Sequence, residues 1–336
     1  MVDAELPIVT ITGVSGYIGA HVCLRYLQDG GFKVRGTVRD KTNPEKLAQL
    51  QLAFGAHFDK LELVNADLMN EQSLIDAIAG STYVVHVASP FFFGGTEDEV
   101  IKPAVQGTLA ALKACQVAKV KRCVVTSSGL SILMVSEASR PASGLFNESI
   151  WSEPDRPEGI DTYSKSKVLA ERAAWKFVED LPADEKFELV TVLPAFVMGP
   201  PLMNGSGTSI GFLQALMTGK MPTISSDCAP HCDVRQVGEA HLLAVKNSAA
   251  AGRRFLIVDG TPSMQDRAAP IIAKYKAQGW PITDQMQAVD PAKYVPKFDN
   301  SASKELGVGE YLSLEQTMHD MAEKLIELNM VAKPAQ

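Results

Sequence analysis

The first half of the chain alternates two kinds of apolar pattern. Short runs rich in β-branched residues, PIVTIT, FKVRGTV, KLELVNA, TYVVHVA and RCVVTSS, alternate with segments such as YIGAHVCLRYLQDG and NEQSLIDAIAG, whose apolar positions return every three or four residues. Short, nearly continuous apolar runs read as strands buried on both faces, and the helical periodicity between them reads as their cover. The alternation predicts βαβ units and a parallel sheet. A sixth run, FELVTVLPA, follows a long helix beginning near Tyr163, in which Leu169, Ala170, Ala173, Ala174, Phe177, Val178 and Leu181 recur at helical spacing. After Pro194 proline and glycine thicken in FVMGPPLMNGSGTSIG, and only RRFLIVDG reads as a further strand.

Composition narrows the class. The 336 residues are 46% hydrophobic and 21% charged, with mean hydropathy of +0.02 and no run long enough to cross a bilayer, so a membrane protein is excluded. A net charge of -7, with lysines and arginines scattered, opposes a phosphate backbone and argues against nucleic acid. MVDAELPIVTITG enters a strand-like run without a basic segment and apolar stretch, so the expected location is cytoplasmic. Five dispersed cysteines read as reduced thiols. CAPHC gathers Cys228, His231 and Cys232, but no second ligand pair lies at zinc spacing, so no metal is expected.

TITGVSGYIGAHV sets Gly13, Gly16 and Gly19 between the first strand and the first helix. Glycine permits the tight turn and close backbone approach, while the helix N-terminus faces an anionic pyrophosphate. That junction predicts dinucleotide binding. The expected architecture is therefore α/β, a Rossmann-type doubly wound parallel sheet with a smaller C-terminal substrate lobe. Residues 1–193 and 233–258 would form the dinucleotide-binding part, and residues 194–232 and 259–336 the lobe over the carboxyl ends of the strands.

Farther along, DTYSKSKVLAER places Tyr163 and Lys167 four residues apart at the start of a helix, on one face. An ammonium about 4 Å from a phenol contributes roughly 4 kcal/mol at an effective dielectric of about 20. The expectation is that Lys167 draws the Tyr163 pKa down towards working pH.

The loop TGxxGxxG, the YxxxK pair, Ala66-Asp67-Leu68 after the third strand, HVASP after the fourth and TSSG after the fifth together resemble the extended short-chain dehydrogenase/reductase family. The resemblance implies a cofactor site of Thr12, Gly13, Ser15, Gly16, Tyr17, Ile18, Gly19, Asp67, Leu68, Val87, Ala88, Ser89, Thr126, Tyr163, Lys167, Pro194 and Val197. It also implies hydride transfer to a carbonyl carbon, with Tyr163 as proton donor, Lys167 beside it and Ser128, rather than Ser127, polarising the carbonyl oxygen.

In NAD-binding members an acid ends the second strand and holds the ribose. Here Val38 takes that place and Arg39 follows, a guanidinium suited to a 2'-phosphate. Lys46 resembles a second phosphate-binding lysine, while Asp40, about 20 residues past Gly19, is the competing ribose ligand. The expected cofactor is NADP(H).

TVRD, EVIKPAVQGTL, TSSG, TYSKSKVLAE, LPAFVMGP and FDNSASKELGV resemble the dihydroflavonol reductase and cinnamoyl-CoA reductase branch with its microbial aldehyde and ketone reductase relatives. Leu133 replaces the asparagine of dihydroflavonol reductases, and GIDTYSKSK replaces an NWYCYGK-like signature. Apolar candidates remain for the substrate walls: Phe91, Phe92, Phe93, Leu133, Phe196 and Met203, around Ser128 and Tyr163. The expected partner is a small hydrophobic or aromatic carbonyl compound. Alternatives are a sugar-nucleotide epimerase or dehydratase with retained NAD, and a non-catalytic dinucleotide-binding module. The helices over 97–118 and 162–181 allow either a monomer or a homodimer.

Overall fold

A computed structural model describes residues 5–89, 95–291 and 293–334. Each of the seven β-rich runs becomes a strand. In chain order the elements are β1 (Ile8–Thr12), α1 (Tyr17–Asp29), β2 (Lys33–Val38), α2 (Pro44–Phe54), β3 (Leu61–Asn65), α3 (Glu71–Ile78), β4 (Tyr83–His86), α4 (Glu97–Ala118) and β5 (Arg122–Thr126). Then follow α5 (Leu130–Leu133), β6 (Leu145–Phe146), α6 (Thr162–Asp180), β7 (Glu188–Pro194), β8 (Phe196–Met198), α7 (Thr208–Met217), β9 (His231–Asp233), α8 (Val234–Lys246) and β10 (Arg254–Ile257). The chain ends with α9 (Met264–Tyr275), β11 (Lys297–Phe298), α10 (Ser301–Leu306) and α11 (Leu314–Glu327).

The main sheet is parallel throughout, in the order β3-β2-β1-β4-β5-β7-β10. The strand order reverses between β1 and β4, which leaves a crevice at their carboxyl ends. Helices α1 and α8 pack together on one face, and α3, α4 and α6 on the other. Val9, Ile11, Val22 and Tyr26 are fully buried on the first face, and Val84, Cys123, Leu112 and Ile78 on the second. Each buried Val, Ile or Leu contributes roughly 1.5–3 kcal/mol, so both faces of the sheet are held by apolar burial.

A further core, with Met198, Leu213, Leu216, Ile271, Met318 and Leu325, is drawn from residues between 198 and 331. Beside it lie two short parallel pairs, β8 with β9 and β6 with β11. Helix α10 and the residues after it return to the first core through Leu306 and Val308. No helix among the described residues is long and apolar enough to cross a membrane. Cys23, Cys115, Cys123 and Cys232 are buried and Cys228 half-buried, none paired with another.

Candidate active site

The crevice floor is built from glycine. Gly13 has φ +71°, and a Cβ there would lie 3.0 Å from the Ala88 Cβ. At Gly19 a Cβ would fall 2.1 Å from the Gly13 carbonyl oxygen, so the helix can approach the loop only without a side chain. Gly16 caps α1 with no side-chain hydrogen bond, and no acidic residue occupies the first turn. The first amides of α1 and the positive end of its dipole are thus left for an anion. A dinucleotide fits this cradle: Ser15, Gly16, Tyr17 and Ile18 form the turn, with Gly16 exposed, and side chains at Gly13 or Gly19 would push the loop away from Ala88 and the helix. The Tyr17 hydroxyl is otherwise engaged, donating to the Gly199 carbonyl at 2.7 Å, and His21 Nε2 donates to Pro200 O at 2.8 Å. These bonds fasten α1 to the 199–200 turn.

At the end of β2, Val38 is buried while Arg39 is exposed, with no ion pair among the described residues. Asp40 turns away to Thr42, accepting from its amide at 2.8 Å and its hydroxyl at 2.6 Å, which holds the carboxyl below its ordinary pKa. The competing ribose ligand is therefore committed to its own turn. Lys46 lies in the first turn of α2, with Nζ 3.1 Å from Gln49 Oε1. Asp67 also caps locally, accepting from the Met69 amide at 2.9 Å, and Leu68 lies beside Gly107 of α4.

Thr12 is bonded within the protein. It is fully buried, and its Oγ1 accepts from the amides of Val87 and Ala88, both at 3.0 Å. Its hydrogen then goes to His86 Nδ1, 3.0 Å away, so the ring carries its proton on Nε2. The threonine thereby shapes the β4 exit. Thr126 is likewise turned inward, donating to His241 Nε2 at 2.7 Å while His241 Nδ1 donates to Val237 O. Burial, helped by the Lys167 ammonium, depresses the His86 pKa to about 4, so the imidazole is neutral at physiological pH.

Helix α6 begins where Asp161 accepts from the Ser164 amide at 2.9 Å and the Ser164 hydroxyl at 2.5 Å, an N-cap that puts Tyr163 in the first turn. One turn on, Lys167 Nζ lies 5.3 Å from the centre of the Tyr163 ring and donates to Ser89 Oγ at 2.8 Å. The two side chains converge as the spacing requires. The electrostatic expectation, however, is reversed. Burial, with a smaller push from Asp161, raises the Tyr163 pKa to about 12, and burial lowers that of Lys167 to about 8. The ammonium lies over the ring and against Ser89, and desolvation outweighs its attraction for a phenolate.

The loop after β5 continues the sheet ladder, with Ser127 N donating to Val192 O at 2.8 Å and Gly129 N to Pro194 O at 2.9 Å. Ser127 Oγ donates to Glu171 Oε2 at 2.5 Å. Ser128 Oγ instead accepts from the Leu130 amide at 3.2 Å, which leaves its own hydrogen available. Of the apolar candidates, Phe91, Phe92 and Phe93 lie outside the described residues. Leu133 and Phe196 are half-buried, with the Arg267 guanidinium 5.4 Å from the Phe196 ring centre. Met203 is 5% exposed and Val197 8%, both within the first core, so neither side chain stands in an open wall.

Sequence reading passed over one buried group. Glu171 has no side-chain exposure and lies one turn beyond Lys167, continuing the spacing of four from Tyr163. The signal was present: an acid in register with the buried face of an otherwise amphipathic helix.

The fold and the glycine cradle, with Lys167 beside the Tyr163 ring, are those of a short-chain dehydrogenase/reductase of the extended type. The chain belongs to the NAD dependent epimerase/dehydratase family, whose sequence profile matches residues 9–257. Tetraketide alpha-pyrone reductase 1 of Arabidopsis thaliana is 33% identical over 324 residues, 95% of each chain. Cinnamoyl-CoA reductase 1 of Petunia hybrida is 31% identical over 333 residues, 98% of this chain and 95% of its own. Among solved structures, the yeast methylglyoxal/isovaleraldehyde reductase complexed with NADPH superposes with a TM-score of 0.79 at 26% identity, covering 96% of this chain and 99% of that one.

Proposed function

We propose that the protein is an NADPH-dependent reductase of hydrophobic or aromatic aldehydes and ketones. The observation that carries this reading is the pairing of a Tyr163 phenol kept protonated, pKa about 12, with a Lys167 ammonium beside its ring and a Ser128 hydroxyl whose hydrogen is free. Bound NADPH supplies the hydride for the carbonyl carbon. Tyr163 gives its proton to the developing alkoxide oxygen, and Ser128 donates a hydrogen bond to that same oxygen. Lys167 stabilises the resulting phenolate by charge. Arg39 and Lys46 hold the 2'-phosphate, since Val38 offers the ribose nothing and Asp40 is bonded to Thr42. The named relatives are reductases and one structural neighbour carries NADPH, which supports the same reading. The apolar core drawn from residues between 198 and 331 supports a substrate lobe of 194–232 with 259–336 beside 1–193 with 233–258, while Val197, Met203, Leu306 and Val308 tie that lobe into the first core.

The test is a panel of aromatic aldehydes, ketones and dihydroflavonols followed by loss of NADPH absorbance. Stoichiometric NADPH consumption is expected with at least one. Isomerisation of a sugar nucleotide with no net cofactor turnover would replace this reading with that of an epimerase.

A further inference from the structure

We infer that Glu171 is a positioning residue: held by Arg254, it anchors Ser127 and thereby sets the loop that presents Ser128 to the carbonyl oxygen. This rests on the reductase reading above, which gives Ser128 its role.

The bonding pattern carries the inference. Glu171 Oε2 accepts from Ser127 Oγ at 2.5 Å and from Arg254 Nη2 at 3.3 Å. Its Oε1 accepts from Thr191 Oγ1 at 2.9 Å and Arg254 Nε at 2.8 Å. One carboxylate thus ties α6, which carries Tyr163 and Lys167, to the loop after β5 and to β7 and β10. Arg254 reaches further. Its Nη1 donates to the carbonyls of Glu148 and Ile150 at 2.7 and 2.8 Å, its Nη2 to Ser131 O at 3.4 Å, and its guanidinium lies 3.6 Å from the Trp151 ring centre. From the same strap, Ser152 Oγ donates to Leu130 O at 2.6 Å and accepts from Met134 N at 2.8 Å. The segment 127–134 is held at four points, at Ser127, Leu130, Ser131 and Met134, with Ser128 between the first two in sequence.

Stability alone is a weak reason for this pair. Removing two charges from water offsets most of their attraction, and apolar replacements of buried ion pairs are often neutral or stabilising. What an apolar pair cannot do is accept the Ser127 hydrogen and fix that hydroxyl's direction. A small space of about 20 Å³ is bordered by Ser127, Glu171, Lys167 and His86, which places the anchor beside the lysine as well.

The experiment compares S127A, E171Q and E171M/R254M with wild type. It measures NADPH dissociation constant by fluorescence, kcat and KM, melting temperature, and amide hydrogen exchange of residues 127–134. We expect NADPH affinity within roughly twofold, kcat lower by roughly tenfold or more in all three, and faster exchange in that segment, since small misplacement of a catalytic group is expensive. The double variant recovers melting temperature but not kcat. Wild-type kcat in S127A, or joint recovery of melting temperature and kcat in E171M/R254M, overturns the inference. Unchanged exchange in E171Q overturns it whatever the activity. Absence of NADPH-dependent carbonyl reduction by wild type would instead sink the reductase reading, and the exchange measurement still decides the anchoring.

Discussion

Lys167 Nζ donates to Ser89 Oγ at 2.8 Å, linking the start of α6 to the exit of β4. The ammonium is held in a place that lowers its pKa to about 8, so protonation in the working range carries both a chemical benefit and a folding cost.

The chemical benefit predicts a pH profile. Reduction measured as kcat/KM should be flat below about pH 8 and fall above it as the ammonium is lost, while the Tyr163 phenol, with pKa about 12, stays protonated throughout. A profile unbroken up to pH 10 would remove the lysine's charge from the mechanism.

The folding cost predicts a stability change of opposite sense. The folded pKa lies below the ordinary value of 10.5, so the unfolded chain binds more protons between about 8 and 10.5, and the penalty is full below about 8. Lys167→Met should therefore melt at a higher temperature than wild type at pH 7, with the difference shrinking as pH rises towards 10. Thermal melts at both pH values test this.

Tyr163→Phe removes the proposed proton donor but keeps the half-buried ring. Turnover should fall by roughly 10²-fold or more, the usual contribution of general acid catalysis, while NADPH still quenches fluorescence with near wild-type affinity. A phenylalanine variant with full turnover would show that the alkoxide is protonated from elsewhere.

Arg39→Glu should weaken NADPH binding by far more than NADH binding, because the arginine, free of ion pairs among the described residues, is matched to the extra phosphate. Equal losses for the two cofactors, measured by titration, would reassign that contact.

Thr12→Val keeps the shape but strands two amides and one imidazole nitrogen. Leaving buried donors unpaired costs on the order of 2 kcal/mol, so the variant should unfold at lower denaturant with an unchanged slope. Unaltered stability would mean that the Val87 and Ala88 amides find other acceptors.

Strands β1, β4, β5, β7 and β10 were legible because nearly every residue in them is buried and they read as apolar runs, whereas the edge strand β3 is half-buried or exposed and shows instead in the alternation of LELV. The glycine loop was legible because only glycine permits the close approach at Gly13 and Gly19. Spacing likewise brought Tyr163 and Lys167 together, but spacing carries no information about burial, and burial reversed the sign of the tyrosine's shift. For Thr12 and Thr126 the motif gave the position but not the partners, the Val87 and Ala88 amides for the first and the His241 ring for the second, because all of these are distant in sequence. Glu171 stayed hidden because an acid on a helix ordinarily reads as surface, and its partner Arg254 is 83 residues away.

Leu306 and Val308 seat in the core under the main sheet, whereas Met318, Met321 and Leu325, a few turns later, seat in the other. The tail therefore acts as a staple with one prong in each half of the molecule. Clipping the chain after Phe298 would uncover greasy surface on both sides at once, so the final stretch cannot be trimmed as an ornament, and a protease acting there would disable the catalyst without touching its chemistry.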